Sequence, residues 1–531
     1  MSAGSIELGG AEAGESARSR PSRAKQLVLD RFELVVLAAF IGISVWVLGA
    51  DLWRVVAQGR VWTDTDGLFL ADQMQYLAWI RSAAAHGLSS DLFVLHDTSS
   101  DYLQPLVILS AALARLGVAV WLTLLLWKPV AVLAMFYATR AYVRGNLAGI
   151  GARRAALVIA LFGGSLPAFG DLWVGFWSWG YSFPLIGIAA LVGAIPAYEA
   201  ARNGRVGLWL PASLGALASW LHPWQGEALV LIVLGAESLL WLRDGRAAPG
   251  RRRLALAAVT VAATAGPLVY YAILTRADPQ WGMARDAGKH MFQLSMAALA
   301  LAPLLLASAL AYRRWPRGFV PTATRLWLPA AAAIFFLSES GFSATPLHAF
   351  AGISVPLGVL SVEGALSLGA SQLRRRPLLA ALLVAAVTVP ATFAQLRNAL
   401  VYLMPAPANA NFISRDERRA LDFLAYDPAA GGVLSRAYLS LITPALTGRH
   451  AYLGTCYWSE PSCTVRQELV HRVFLTSGIP DRVVRAEVLS THARFVLNST
   501  CSLPGKDLDD VLAPVTAEVH RFGCATLYVL R

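Results

Sequence analysis

About eleven long apolar runs divide the first four hundred residues and leave few ways to fold them. They lie near 33–56, 117–139, 155–170, 183–200, 207–222, 226–242, 254–275, 291–311, 326–342, 349–369 and 378–402. Most have the roughly 17 to 25 residues a helix needs to cross a bilayer with every peptide group bonded inside its own segment. Two are short for a span. A water-soluble enzyme is excluded by the same numbers. The chain is 56% hydrophobic and 15% charged, against roughly a quarter charged in soluble domains. The expected fold is therefore a polytopic α-helical membrane protein with a smaller domain attached.

Charge tests the threading. The net charge is +12, and only four of the basic residues are lysines, Lys25, Lys128, Lys289 and Lys506. Such an Arg and Ala bias follows GC-rich codon usage and fits an actinobacterial origin. The arginines sit in small groups between apolar runs, so no nucleic-acid face is expected. With the N-terminus inside, the inner segments carry Arg18 to Lys25, Arg140 and Arg144, Arg251 to Arg253, Arg313 to Arg317 and Arg374 to Arg376. Within the membrane domain the outer loops carry only about six, Arg54, Arg60, Arg81, Arg276, Arg285 and Lys289, with Arg115 beside the second run. Positive charge thus stays inside, and an odd number of spans leaves the C-terminus outside. The first run is too long for a signal peptide and meets Asp51-Leu-Trp-Arg54 without a small-residue cleavage site.

Three regions follow. Residues 1–31, rich in Gly, Ser, Ala, Glu and Arg near the start, are expected to be a disordered cytoplasmic segment. Residues 32–404 form the membrane domain, with a large outer loop at 57–104. Residues 405–531, beginning at Pro405 and Pro407, are expected to form an extracytoplasmic α/β domain. In it, Ser414 to Leu424 has an N-cap residue before a helical pattern, and Arg494 to Leu497 and Thr526 to Leu530 are β-type runs. All four cysteines, Cys456, Cys463, Cys501 and Cys524, lie there. Their clustering in the segment that topology places outside argues for two disulfides. Three connectivities exist, and the local closures Cys456–Cys463 and Cys501–Cys524 are preferred. No CxxC spacing supports a zinc site instead. Asn498-Ser-Thr500 is a formal glycosylation sequon that means little in a bacterium.

The chemistry is expected in the outer loops. The first holds Asp64, Asp66, Asp72, Asp91, Asp97 and Asp101. From Asp72 the pattern turns helical, with Tyr76, Ile80 and Ala83 on one face, as for a helix lying in the membrane interface. Asp91, Asp97 and Asp101 read as loop solvation or helix caps. Asp72-Gln73-Met-Gln-Tyr76 followed by Gln104-Pro105-Leu106 resembles the GT-C superfamily of multi-span glycosyltransferases, in which an essential Asp opens a "D-E-x-x-Y" helix and an "x-P-L" helix follows. Gln73 stands where the family has Glu, so Asp72 and Tyr76 carry over, while Asp64 and Asp66 upstream are alternatives for the catalytic position. Pro444, Ala445, Gly448, Arg449, Tyr452 and Gly454 are similar to a "P-A-x-x-G-R-x-x-Y-x-G" segment in outer domains of bacterial relatives.

The resemblance implies sugar transfer from a polyprenyl-phosphate carrier to a cell-envelope glycan or glycolipid at the outer face of the plasma membrane. It also implies a second acid, which Asp171 supplies at the head of the aromatic loop FGDLWVGFWSWGYSF. Those aromatics suit sugar stacking and an interfacial belt equally. Such a reaction needs a carboxylate near the attacking hydroxyl, a cation at the leaving phosphate and a groove for the lipid tail. Arg276, Arg285, Lys289 and His290 concentrate positive charge on the outer side, for phosphate or for pairing with Asp278 and Asp286. His222, with Glu227 nearby, and the pair Glu339 and His348 mark outer helix ends as further substrate contacts, together with Gln104. Lys128 falls mid-span, for a carboxylate partner or a phosphate. No spacing demands a metal, although acidic loops can take a divalent cation. Two rival readings are a transporter or flippase for lipid-linked sugars, which predicts internal repeats, and a non-catalytic subunit of an envelope complex. No convincing repeat is visible.

Overall fold

The computed structural model describes residues 28–66, 68–164, 172–244, 250–287, 294–339, 346–402, 409–456, 458–459 and 462–531. Helix α1 (Arg31–Ala57) starts at a capping box. Asp30 accepts from the Glu33 amide at 2.8 Å and Glu33 from the Asp30 amide at 3.1 Å, which satisfies two orphan donors at the helix start. Its 27 residues reach about 40 Å at 1.5 Å per residue, enough for a bilayer. Val36, Phe40, Val47, Asp51 and Val55 form its buried stripe, while Leu34, Ile41, Trp46 and Trp53 face outward. Glu33 also takes Arg140 at 2.9 Å and Arg144 at 2.8 Å, tying this end to the bundle.

Among the described residues, eight helices are long and apolar enough to span a membrane. The chain is a multi-pass membrane protein. Three of the eleven expected runs form shorter pieces. Ile150–Phe162 stops at Gly163, whose amide closes on the Ile159 carbonyl. Trp209–Leu221 stops at His222, because Pro223 starts the next helix and has no N–H to continue the last one. The apolar part of Ser354–Arg375 ends at the kink at Gly369. The helix Ser182–Arg202 is buried nearly all round and packs chiefly on Trp127–Asn146 and Trp209–Leu221.

The loop after α1 supplies α2 (Leu70–His86) and α3 (Pro105–Arg115). The C-terminal region packs on α2 through the helix Ala437–Thr447, with Arg81 Nε donating to the Ala445 carbonyl at 2.9 Å. An isolated antiparallel bridge, Val61 to Ile413, makes a second tie. The C-terminal sheet has the order β1-β2-β4-β3, from Val433–Ser435, Phe495–Ser499, Ala525–Leu530 and Thr516–Phe522. Only β1–β2 is parallel. The helix over Arg415–Tyr426 starts at a Ser414–Glu417 capping box. Strands β2 and β4 carry the apolar runs seen in the sequence. The outer strand β3 is largely exposed and polar, so its pattern gives no strand signal. Cys456 is joined to Cys463 and Cys501 to Cys524, and each bond closes a local loop.

Candidate functional site

The segment between α1 and α2 is drawn inward by a buried ion pair. Lys128 Nζ donates to Asp66 Oδ2 at 2.6 Å and to the Ser178 carbonyl at 2.9 Å, and Asp66 is 4% exposed. Lys128, expected mid-span, lies instead in the first turn of the helix Trp127–Asn146, and the partner it takes is a carboxylate from the segment after α1. The Asp66 amide in turn donates to Gln73 Oε1 at 2.8 Å. Thr65 reaches Asn411 at 3.5 Å, and Trp62 Nε1 donates to the Thr65 carbonyl at 2.8 Å. Asp64 sits at φ 72°, a left-handed conformation that Asp tolerates better than most residues. Burial raises its pKa, against the opposing pull of Arg418 and Arg81.

The first turn of α2 splits its polar residues. Gln73 turns to Asp66 and Gly180, while Asp72 turns to Tyr181, whose hydroxyl donates to it. Burial pushes the Asp72 carboxyl up to about 6, with the Tyr181 bond pulling the other way. Asp66 and Asp72 thus flank one turn, Gly180–Tyr181. Tyr76 lies one helical turn on, 4.9 Å from Phe183 and 6.4 Å from Tyr181 between ring centroids.

An aromatic corridor leads away from this point in two directions. On one side Trp177 lies 5.0 Å from Tyr181, 5.2 Å from His222 and 5.4 Å from His348. The two histidine rings are 5.2 Å apart. Gln225 Nε2 donates to the Ala351 carbonyl at 2.9 Å, which turns Gln225 Oε1 towards His222 Nδ1. That contact assigns the proton to Nδ1 and the lone pair to Nε2, an atom without a hydrogen-bond partner among the described residues. Glu227 is half-buried one turn along the same helix.

On the other side Trp79 meets Tyr102 at 4.5 Å, Trp458 at 5.1 Å and Trp281 at 5.8 Å. Trp281 belongs to the helix Pro279–Ala287, so the 276–290 segment touches α2 two turns beyond Asp72, about 10 Å along the axis. Arg276 there is exposed and bonds the Ala272 carbonyl at 3.4 Å. Asp91 is fully buried, accepting from the Phe93 amide at 2.8 Å and from Gln280, and burial raises its pKa to about 7. Asp101 accepts from Trp281 Nε1 at 2.8 Å, whereas Asp97 is exposed. Gln104 caps α3 through its side chain, accepting from the Val107 amide at 2.8 Å. Asp171, Lys289 and His290 lie outside the described residues, and so do the side chains of Arg285 and Glu339.

Three features here escaped the sequence reading. Gln73 bonds Asp66 instead of merely replacing a Glu, and Gly180 and Tyr181 form the turn between the two acids. Asp51 is fully buried on α1, with neither oxygen hydrogen-bonded among the described residues. An acid inside an apolar run was the signal available for Asp51. Along α1, Gly42, Trp46, Gly49, Ala50, Trp53 and Arg54 line, with Leu400, an open apolar groove of about 860 Å³.

No family model and no curated protein matches the chain. Among solved structures it is similar to the archaeal oligosaccharyltransferase AglB from Archaeoglobus fulgidus in complex with an inhibitory peptide and a dolichol-phosphate. The TM-score is 0.54 at 13% identity, over 90% of this chain and 70% of that one. It is also similar to ArnT from Cupriavidus metallidurans bound to undecaprenyl phosphate, with a TM-score of 0.50 at 12% identity, over 93% of this chain and 97% of that one. These likenesses show the fold: a polytopic GT-C membrane architecture carrying a small C-terminal sheet domain.

Proposed function

We propose that this chain is a membrane glycosyltransferase that takes a sugar from a polyprenyl-phosphate carrier and transfers it to a cell-envelope glycan or glycolipid. One observation carries the reading. Asp66 and Asp72, the two acids singled out in the outer loop, flank a single turn at the end of a GT-C bundle that also holds the C-terminal domain. The two solved neighbours are described with dolichol-phosphate and with undecaprenyl phosphate, which supports a lipid-phosphate donor. The paired cysteines support an oxidising outer compartment for the domain, with the N-terminus on the cytoplasmic side. The Arg and Ala bias supports an actinobacterial source.

The acceptor hydroxyl attacks the anomeric carbon. The bond from that carbon to the phosphate oxygen breaks, its electron pair leaves with the polyprenyl phosphate, and the hydroxyl proton passes to a carboxylate. Asp72 suits that last role, because a base with a pKa of about 6 is ionised at neutral pH yet still takes a proton. Tyr76, Tyr181 and Trp177 offer faces for a sugar ring, and Asp66, with Lys128 as its counter-charge, orients a substrate hydroxyl. The α1 groove suits a lipid chain, and Arg54 in its lining suits the leaving phosphate. His222 and His348 would line the far end of the sugar path.

The test is transfer in proteoliposomes from polyprenyl-phosphate sugars to a membrane-lipid acceptor, comparing wild type with Asp72→Asn and Asp66→Asn. Asp72→Asn is expected to cost at least 10²-fold in kcat, in the range of lost general-base catalysis, and Asp66→Asn to cost less. Transfer untouched by both substitutions would sink the reading. Lipid scrambling without glycosidic bond formation would favour a transporter.

A further inference from the structure

Between Asp66 and the 180–182 turn lies a crevice of about 10 Å³, lined by Trp62, Asp64, Asp66, Gln73, Trp121 and Gly180 among others. That volume holds roughly one water-sized group. Gln73 is 3% exposed, and its amide is held in one orientation because Oε1 accepts from the Asp66 backbone. Its Nε2 is buried without a hydrogen-bond partner among the described residues. A buried amide N–H₂ left unpaired costs free energy, so this wall of the crevice favours a group that can accept from it.

Gly180 lets the Gln73 amide pack directly against the backbone at this wall of the crevice. Its φ of +154° favours glycine, and a Cβ at this position would stand 2.3 Å from Gln73 Nε2 and 3.4 Å from Asp66 Cβ. Trp62 and Trp121, edge to face at 5.2 Å, wall the apolar side. The lining therefore offers N–H donors from Gln73 and carboxylate acceptors from Asp64 and Asp66, around room for one oxygen. An anion would meet two carboxylates. A cation would meet the amide hydrogens and the Lys128 ammonium that Asp66 already holds. A neutral hydroxyl both donates and accepts, and it fits all the lining groups.

We propose that this crevice is a single-hydroxyl subsite, in which Gln73 Nε2 donates to, and Asp66 accepts from, one hydroxyl of the transferred sugar, with water in its place when no sugar is bound. Gln73 is then a specificity-determining residue and not a lapsed catalytic position. The sugar part of this assignment rests on the glycosyltransferase reading; the oxygen site itself does not.

Two arms keep those apart. The first is an experimental map of the full-length protein in nanodiscs, without donor, at a resolution that shows ordered water. An oxygen within hydrogen-bond distance of Gln73 Nε2 is expected in the wild type and is expected to vanish in Gly180→Ala. Its absence from a well-ordered wild-type crevice overturns the subsite. The second arm measures kcat/KM for polyprenyl-phosphate sugars and for their deoxy analogues, each lacking one hydroxyl. Wild type is expected to reject one deoxy sugar by 10²-fold or more, as sites built around a hydroxyl do. Gln73→Glu retains the acceptor for the Asp66 amide and deletes the N–H donors, so it is expected to reduce that ratio at least tenfold. A ratio unchanged by Gln73→Glu overturns the role in specificity. A wild type that transfers no sugar condemns the glycosyltransferase reading instead, and the map alone then decides the oxygen site.

Discussion

Lys128 Nζ and Asp66 Oδ2 lie 2.6 Å apart with their side chains 6% and 5% exposed, joining the first turn of the helix Trp127–Asn146 to the segment between α1 and α2. A pair so buried holds the loop in place only while both charges are present, because either one left alone is an uncompensated charge in a poorly polar surrounding. Lys128→Ala is therefore expected to lower stability by about 3–5 kcal/mol. Adding Asp66→Asn to it should recover part of the loss. Unfolding temperatures of the two variants in nanodiscs decide this, and no recovery in the double variant would mean the pair is not coupled.

Asp72 is expected to set the pH profile of the proposed transfer. Its pKa is raised from 3.8 to about 6 by burial, so its ionised form grows as pH rises through 6 and is nearly complete by neutral pH. The kcat/KM profile is expected to climb tenfold per unit below about pH 6 and to level off above it. A profile without an inflection between pH 5 and 7 would remove Asp72 as the base.

Asp91 is expected to couple stability to pH. Its folded pKa, about 7, stands above the unfolded value, so the protonated form favours the fold. That contribution is fully present below about pH 4 and is lost as pH rises through 7. Asp91→Asn remains neutral throughout. It still accepts from the Phe93 amide, and its own amide can donate to Gln280 Oε1, an atom with no partner among the described residues. At pH 8 the variant is expected to be more stable than wild type by a few kcal/mol at most, with the advantage clearly smaller at pH 5 and gone only below about pH 4. Thermal unfolding at both values checks the sign.

Arg449 anchors the C-terminal domain. Its guanidinium donates to the carbonyls of Leu424, Asp427, Ala429 and Gly431 at 2.6, 2.5, 2.6 and 3.3 Å and lies 4.5 Å over the Phe495 ring. A lysine cannot reproduce that planar fork. Arg449→Lys is expected to destabilise the protein by about 2 kcal/mol, while transfer per folded molecule stays within twofold of wild type. A large loss of transfer without loss of stability would place Arg449 in the reaction instead.

The sequence by itself determined what the bilayer enforces. Hydrocarbon leaves no alternative to internally bonded helices, so the apolar runs marked the elements, although the run at 155–170 stops early, at Gly163. The same holds for Ser414 and Glu417, whose capping box depends only on four consecutive residues. Tertiary structure alone decided the site. Lys128 and Asp66 are 62 residues apart and Gln280 and Asp91 are 189 apart, and no local pattern carries a partner over such distances. Gln73 is the sharpest case. In the sequence it is a departure from a motif. In the fold it accepts from the Asp66 amide, and its N–H₂ packs against Gly180 beside a space the size of a single oxygen, a place that any side chain at 180 would take from it.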